Sequence, residues 1–118
     1  MTLSLYAQYL QERSNRGILE TEDGFMTFEY LPEDFVYIVD MFVKKESRNK
    51  YVATEMADKI CEQAVKDGKK FLLGSIDAGA KNAAESTKVL EAYGMTVHKV
   101  APPMIYYIKK LNNVEVLD

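Results

Sequence analysis

The residues best suited to chemistry lie between Lys44 and Lys50, directly after a long apolar run. The segment reads KKESRNK, four cations with a single acid, and a helical pattern follows it. The first turn of a helix leaves backbone N–H groups without intrahelical acceptors and carries partial positive charge, so such a corner can hold a phosphate. The alternative is an ordinary strand-to-helix corner whose charges only meet solvent.

Three further side chains carry reactive groups. Asp40 interrupts the apolar run FVYIVDMFV, and a carboxylate there is a candidate general base, although a salt bridge or a place at a strand edge fits the pattern as well. Cys61 borders an apolar helical stripe, which favours a packed residue over a nucleophile. His98 is the only histidine and has no motif partner, which favours a surface position. The sequence contains no metal-ligand cluster.

Composition and length exclude several classes of protein. The 118 residues suit a single domain, 1–118, and 47% of them are hydrophobic, enough to fold without disulfides. The net charge of −3 argues against binding nucleic acid. We find no run near the roughly 18 apolar residues of a membrane span, no secretory signal and only one cysteine, so we expect a cytoplasmic protein without a membrane partner.

Hydrophobic periodicity predicts the elements that must position these residues. Helices are predicted over 3–15, 49–66 and 77–94, strands within 17–24 and over 25–31, 35–43, 69–76, 95–100 and 104–111, and a tail over 112–118. The strand 35–43 is almost continuously apolar, which is typical of a central strand buried on both faces. The predicted fold class is α/β (α+β), a mixed, mostly antiparallel sheet with a central parallel strand pair and flanking helices.

The segment VKKESRNKYVA, Val43 to Ala53, resembles the acyl-CoA-binding segment of the GNAT superfamily of N-acetyltransferases. That family carries the pattern V-x-P-x-x-R-G-x-G-x-G/A after its fourth strand. Three positions match the pattern: Val43, Arg48 and Ala53. Three depart from it: Lys45, where Pro is common, and Asn49 and Tyr51, where Gly is common. The order and spacing of the later elements agree with the family as well, over about residues 17–111.

The resemblance implies a site for acetyl-CoA or another acyl-CoA. Backbone N–H groups would hold the pyrophosphate, in the residues Arg48, Asn49, Lys50, Tyr51, Val52 and Ala53. The backbone of Met41, Phe42 and Val43 would pair with the pantetheine arm, and Asn82 would begin a helix beside the cofactor. Because glycine lets amides approach a phosphate closely, the ring of Tyr51 must point away, cover the site or block it. A glycine at this position is expected to cost ~0.5–1 kcal/mol of stability.

The resemblance also implies direct attack of an amine on the thioester, which requires a base and an acid. Asp40 is the candidate base. The family's usual acid is a tyrosine four residues before the glycine that ends its last helix, and counting back from Gly94 that position holds Leu90. Tyr93 adjoins the glycine and should face another direction. A tyrosine of the last strand, Tyr106 or its neighbour, is a weaker candidate acid.

Two functions follow from the resemblance. The first is an N-acetyltransferase that transfers an acetyl group from acetyl-CoA to a primary amine on a small molecule or a protein. The second is a catalytically inactive GNAT-fold binding or structural protein that acts in an assembly, which the departures at Tyr51 and Leu90 favour. The family usually has an additional strand and more helix at its amino end. With little of either in this sequence, we expect either a large acceptor, such as a protein amino terminus or lysine, or a second subunit in a homodimer that completes the pocket.

Overall fold

The computed structural model describes residues 4–14 and 16–111, so the predicted tail over 112–118 lies outside it. The described residues contain three α-helices: α1 (Leu5–Ser14), α2 (Val52–Lys66) and α3 (Ala83–Ala92). Six strands are present within the described part of the chain: β1 (Gly17–Glu20), β2 (Gly24–Leu31), β3 (Phe35–Val43), β4 (Phe71–Asp77), β5 (Thr96–Ala101) and β6 (Met104–Lys110). No helix in that part has the length and apolarity needed to cross a bilayer.

The six strands form one sheet in the order β1-β2-β3-β4-β6-β5. All neighbours are antiparallel except β3 and β4, which are parallel because α2 crosses between them. The predicted fold class is therefore confirmed, and so are the central position of β3, the meander of β1 to β3 and the final antiparallel pair.

The core lies between one face of the sheet and the two helices that cover it, α2 and α3. Helix α2 buries Met56, Ile60 and Ala64 against Val36 of β3 and Leu72 of β4. Cys61 is buried in the same cluster, which confirms its predicted role as a packed residue. The buried residues of α1 are not part of this cluster, and that helix packs on β1 instead.

Strands β3 and β4 pair with each other over a short stretch only. The last pair joins Tyr37 to Leu73, after which β3 continues over 38–43 and β4 over 74–77 without further pairing between the two described strands. A gap therefore opens inside the sheet, between the carboxyl-terminal parts of both strands. Such ends are where ligands bind in sheets with parallel strands.

The gap explains why one sequence-based prediction is wrong. Strand β3 was expected to be buried on both faces, yet Asp40 is exposed, Met41 is 45% exposed and Phe42 is 48% exposed. The amino half of β3 pairs with β4 and packs against α2, whereas the carboxyl half does not pair with β4. Large apolar side chains at an open strand end indicate a surface that a ligand can cover.

Helices α2 and α3 begin several residues later than their apolar patterns predict. Helix α2 starts at Val52 rather than at residue 49, because Asn49 and Tyr51 have φ angles of 65° and 64°, which a right-handed helix cannot contain. Helix α3 starts at Ala83 rather than at residue 77. Asp77 is instead the last residue of β4, and its side chain accepts a hydrogen bond from the Gly79 N–H in the following turn.

Gly24 of β2 is a site where a side chain would disturb the end of β3. A Cβ atom there would meet the Phe42 carbonyl oxygen and lie 2.9 Å from the Cα atom of Val43. We expect Gly24→Ala to lower the free energy of unfolding by about 1–2 kcal/mol, since backbone atoms must shift to admit the methyl group. Gly79→Ala is the matched control, because its nearest neighbour is 3.4 Å away. Equal denaturant midpoints for both variants would contradict this expectation.

Candidate functional site

The connection from β3 to α2 presents an uncapped helix amino terminus. Tyr51 occupies the N-cap position and makes no side-chain capping hydrogen bond. The Glu55 N–H donates to the Tyr51 carbonyl at 3.0 Å, so the N–H groups of Val52, Ala53 and the next residue have no intrahelical acceptor. These donors and the positive end of the helix dipole lie at the same edge of the sheet as the gap.

The cationic loop over 44–50, which precedes α2, is held in place by Asp23, in the turn between β1 and β2. The Ser47 hydroxyl donates to Asp23 Oδ1 at 2.7 Å, the Lys44 N–H donates to the Asp23 carbonyl at 2.8 Å, and Lys44 Nζ lies 3.7 Å from Asp23 Oδ1. Ser47 is buried although it lies within the charged run. The sequence did not predict the roles of Asp23 and Ser47, because the two residues are far apart in the chain. The only local sign is the small hydroxyl side chain of Ser47 within a charged run.

Arg48 folds back onto the end of β3. Its Nε atom donates to the Val43 carbonyl at 2.9 Å, and its guanidinium carbon lies 5.7 Å from the centroid of the Phe42 ring. The side chain is exposed, and these contacts do not involve its terminal nitrogen atoms. Arg48 therefore joins the edge of the gap to the cationic loop and still has donors for an anion.

Tyr51 has a left-handed backbone conformation, which favours glycine, the residue common at this position of the family pattern. Its φ angle is 64° and its side chain is 78% exposed, so the ring is not packed into the core. Asn49, where the pattern also has glycine, is left-handed in the same way, and with Lys50 it is exposed. Both residues therefore hold a left-handed backbone conformation that glycine adopts at little cost.

The edge of β3 that faces the gap provides a free strand edge. Over 38–43 its backbone polar groups have no partner from β4 in the described sheet, although the Val43 carbonyl accepts the hydrogen bond from Arg48, while the opposite edge remains paired with β2. This stretch includes Met41, Phe42 and Val43, of which the first two are exposed. An extended ligand can hydrogen-bond to such an edge as an added strand would.

Asp40 lies on β3 beside the gap, and its orientation depends on a bulge. Thr27 pairs with Asp40 while Phe28 pairs with Ile38, so Val39 is an extra residue in β3. The bulge turns Asp40 to the face opposite α2, the face that also carries Tyr37. The carboxylate is exposed, and no cation lies within 4.0 Å of it among residues 4–14 and 16–111. The salt-bridge alternative is therefore not seen there.

The other two candidate residues, Tyr106 and Asn82, lie at different distances from Asp40 and the cationic loop. Tyr106 is half-buried on β6 directly opposite Ser75 of β4, so the whole of β4 stands between it and Asp40. Asn82 is exposed and immediately precedes α3, at the edge of the sheet where β4 ends. The structure thus brings Asp40, the loop and the β3 edge together, and it leaves Tyr106 one strand away.

The position of the family's usual acid lies in the core. The side chain of Leu90 packs over Gly74, and its Cδ1 atom would be 3.8 Å from a Cβ atom there. The Tyr93 hydroxyl donates to Asp58 Oδ1 at 2.6 Å and contacts Cys61, away from the gap, as the spacing predicts. Burial and the hydrogen bond to Asp58 raise the pKa of Tyr93. Burial likewise raises the pKa of the Cys61 thiol, so neither group is prepared for proton transfer or attack.

The comparisons with known proteins agree with this geometry. A sequence model of the acetyltransferase (GNAT) family matches residues 5–94, whereas no curated protein sequence matches. Among solved structures, a protein assigned to the GNAT acetyltransferases of Desulfovibrio desulfuricans has a TM-score of 0.76 at 11% identity, over 89% of this chain and 76% of that chain. An acetyltransferase from Thermus thermophilus has a TM-score of 0.72 at 14% identity, over 88% and 70%. An aminoglycoside 6′-N-acetyltransferase complexed with coenzyme A has a TM-score of 0.69 at 10% identity, over 88% and 77%.

These identities are low, so the solved structures bear on the fold alone. The family match is of another kind, because it spans most of the chain and includes the β3 edge and the cationic loop. The protein belongs to the GNAT acetyltransferase family. The resemblance seen in VKKESRNKYVA is thereby confirmed at the level of family and fold.

Proposed function

We propose that this protein is an acyl-CoA N-acyltransferase that uses acetyl-CoA and a primary amine. The observation that carries the proposal is the gap between β3 and β4, which opens directly toward the uncapped end of α2 and its cationic loop. A free strand edge that leads to an anion site is complementary to an extended ligand with a phosphate group at one end. Membership of the GNAT family supports the same ligand class.

In this proposal the loop and the strand divide the cofactor between them. The backbone N–H groups over 48–53 hold the pyrophosphate, and Arg48 and Lys50 supply charge. The pantetheine arm pairs with the β3 edge at 41–43, where Met41 and Phe42 lose their exposed apolar surface. Asn82 stands beside the arm at the start of α3.

The proposed reaction needs no covalent intermediate with the protein. The amine nitrogen forms a bond to the acyl carbon, the C–S bond breaks, and the electron pair leaves with the CoA thiolate. Asp40 takes the proton that the amine must lose, because its carboxylate is exposed on the margin of the gap. Tyr106 is the proposed donor of the proton that the thiolate gains, acting across β4 through water.

Calorimetry with CoA and acetyl-CoA tests the cofactor site directly. We expect binding in the micromolar range, about −8 kcal/mol. A thiol-release assay over a panel of small amines and amine-bearing peptides then tests transfer. Titrations that remain flat at millimolar ligand would overturn the proposal.

We also propose that the protein acts in the cytoplasm. If a second copy completes the acceptor pocket, light scattering would detect a homodimer.

The alternative is a GNAT-fold binding protein without transfer activity. It is favoured by Leu90, which fills the position of the usual acid with a packed aliphatic side chain. CoA binding without thiol release for any amine would select this alternative. The cofactor site is common to both functions, so binding alone does not distinguish them.

Replacing Tyr51 with glycine is expected to strengthen CoA binding and to stabilise the fold. The left-handed φ of 64° strains any side chain, and the exposed ring contributes no packing, so we expect a gain of up to about 1 kcal/mol after the entropy cost of glycine. This reverses the sign that the sequence alone predicts. Lys50→Gly is the control, because Lys50 is not left-handed and has no strain to release. Thermal melts in which both variants lose stability equally would contradict this expectation.

A further inference from the structure

A pair of hydroxyl groups spans the point where β3 and β4 separate. The Tyr37 hydroxyl and the Ser75 Oγ atom are 2.7 Å apart, although Ser75 lies two residues beyond Leu73, the last residue of β4 that pairs with β3. Both side chains are half-buried. Tyr106 stands opposite Ser75 on the next strand and borders the same place. We name this hydrogen-bonded pair the Tyr37–Ser75 bridge.

The narrow end of the gap is closed on its other sides as well. On the face that α2 and α3 cover, Val36, Leu72 and Ile76 are buried in the core. Beneath the bridge the rings of Phe35 and Phe71 are in contact, with their centroids 5.3 Å apart. The gap is therefore open toward the cationic loop and closed at its narrow end. The Tyr37–Ser75 bridge is the part of this closure that substitution of one side chain can remove.

We infer that the Tyr37–Ser75 bridge limits the length of the acyl chain and makes this protein selective for short acyl groups such as acetyl. The inference rests on the proposed function, which sets the direction of the cofactor. With the pyrophosphate beyond Val43 and the pantetheine arm along 41–43, the thioester and acyl group point toward Tyr37.

The space available favours a short chain. From Met41 back to Tyr37 there are four residue steps, about 13 Å of extended strand, and the bulge at Val39 shortens this distance. The end of the pantetheine arm, the thioester and the acyl chain must all fit in that length. A chain of eight carbons reaches the bridge and has to break it, whereas an acetyl group stops before it.

The test is the affinity of the unmodified protein for CoA, acetyl-CoA, butyryl-CoA and octanoyl-CoA, measured by calorimetry. We expect CoA and acetyl-CoA to bind alike and octanoyl-CoA to bind about tenfold or more weakly than acetyl-CoA, a penalty typical of an oversized group in a closed pocket. Ser75→Ala removes the bridge and frees the Tyr37 ring, and Tyr37→Leu removes the ring as well. In either variant the ratio of the octanoyl-CoA affinity to the acetyl-CoA affinity should rise about tenfold.

Tyr93→Phe is the matched control, because it also removes a tyrosine hydroxyl that joins two elements, but far from the gap. Its octanoyl-to-acetyl ratio should equal that of the unmodified protein even if its stability falls. If CoA itself does not bind, the proposed function fails. If CoA binds and all four ligands bind equally, only the acyl-length inference is overturned, and the unmodified protein suffices to show it. A ratio that stays unchanged in both bridge variants assigns the selectivity elsewhere and also overturns the inference.

Discussion

Asp40→Asn is expected to lower the rate of acyl transfer at neutral pH by about a hundredfold, within the range typical of a lost general base, and to leave CoA affinity unchanged. The bulge at Val39 gives Asp40 its place on the face opposite α2, beside the gap. The Asp40 N–H donates to Thr27 Oγ1 at 3.0 Å, so the backbone that carries the carboxylate is fixed. Asparagine keeps the size and the backbone contact and removes only the ability to accept a proton from the amine.

The measurement is thiol release as a function of pH, combined with CoA titrations of the same samples. Glu91→Gln, on the exposed side of α3, is a control that removes one carboxylate without touching the gap. A selective loss of rate in the Asp40 variant would identify the carboxylate as the base. Equal rates at every pH would show that another group or the solvent takes the proton.

Much of the fold follows from residue patterns because the signals are local. The alternation in FMTFEYL, the apolar run of β3 and the stripe of α2 predicted elements that the structure confirms. The parallel pairing of β3 and β4 followed from the helix between them. What failed was the burial of β3, because separation of two strands depends on contacts across the sheet and leaves no mark in either strand's own sequence.

The site was predictable in its ligand class and only partly in its geometry. Arg48 and the cationic run marked the loop, yet nothing in the sequence shows that Asp23 anchors it. Tyr51 looked like an obstacle, because residue type predicts conformational preference and not the conformation that the surrounding structure imposes. The bulge at Val39 was also missed, since an extra residue in an apolar run does not change its pattern.

Arg48→Glu is expected to weaken CoA binding about a hundredfold, equivalent to about 2.7 kcal/mol. Three effects act in the same direction. The guanidinium donors for the pyrophosphate are lost, and a negative charge takes their place. The hydrogen bond from Arg48 Nε to the Val43 carbonyl and the contact with the Phe42 ring are lost as well, which loosens the strand edge proposed for the pantetheine arm.

The fold should survive this change, because Arg48 is exposed and a surface hydrogen bond of this kind contributes about 1 kcal/mol. Lys59→Glu makes the same change in net charge on the exposed side of α2 and should leave the affinity for CoA nearly unaltered. Since the charge reversal contributes much of the loss, the difference between Arg48→Glu and the unmodified protein should shrink as salt is added. A folded Arg48→Glu variant that binds CoA as tightly as the Lys59→Glu control would show that the pyrophosphate lies elsewhere, and the role proposed for the loop over 44–53 would then fail.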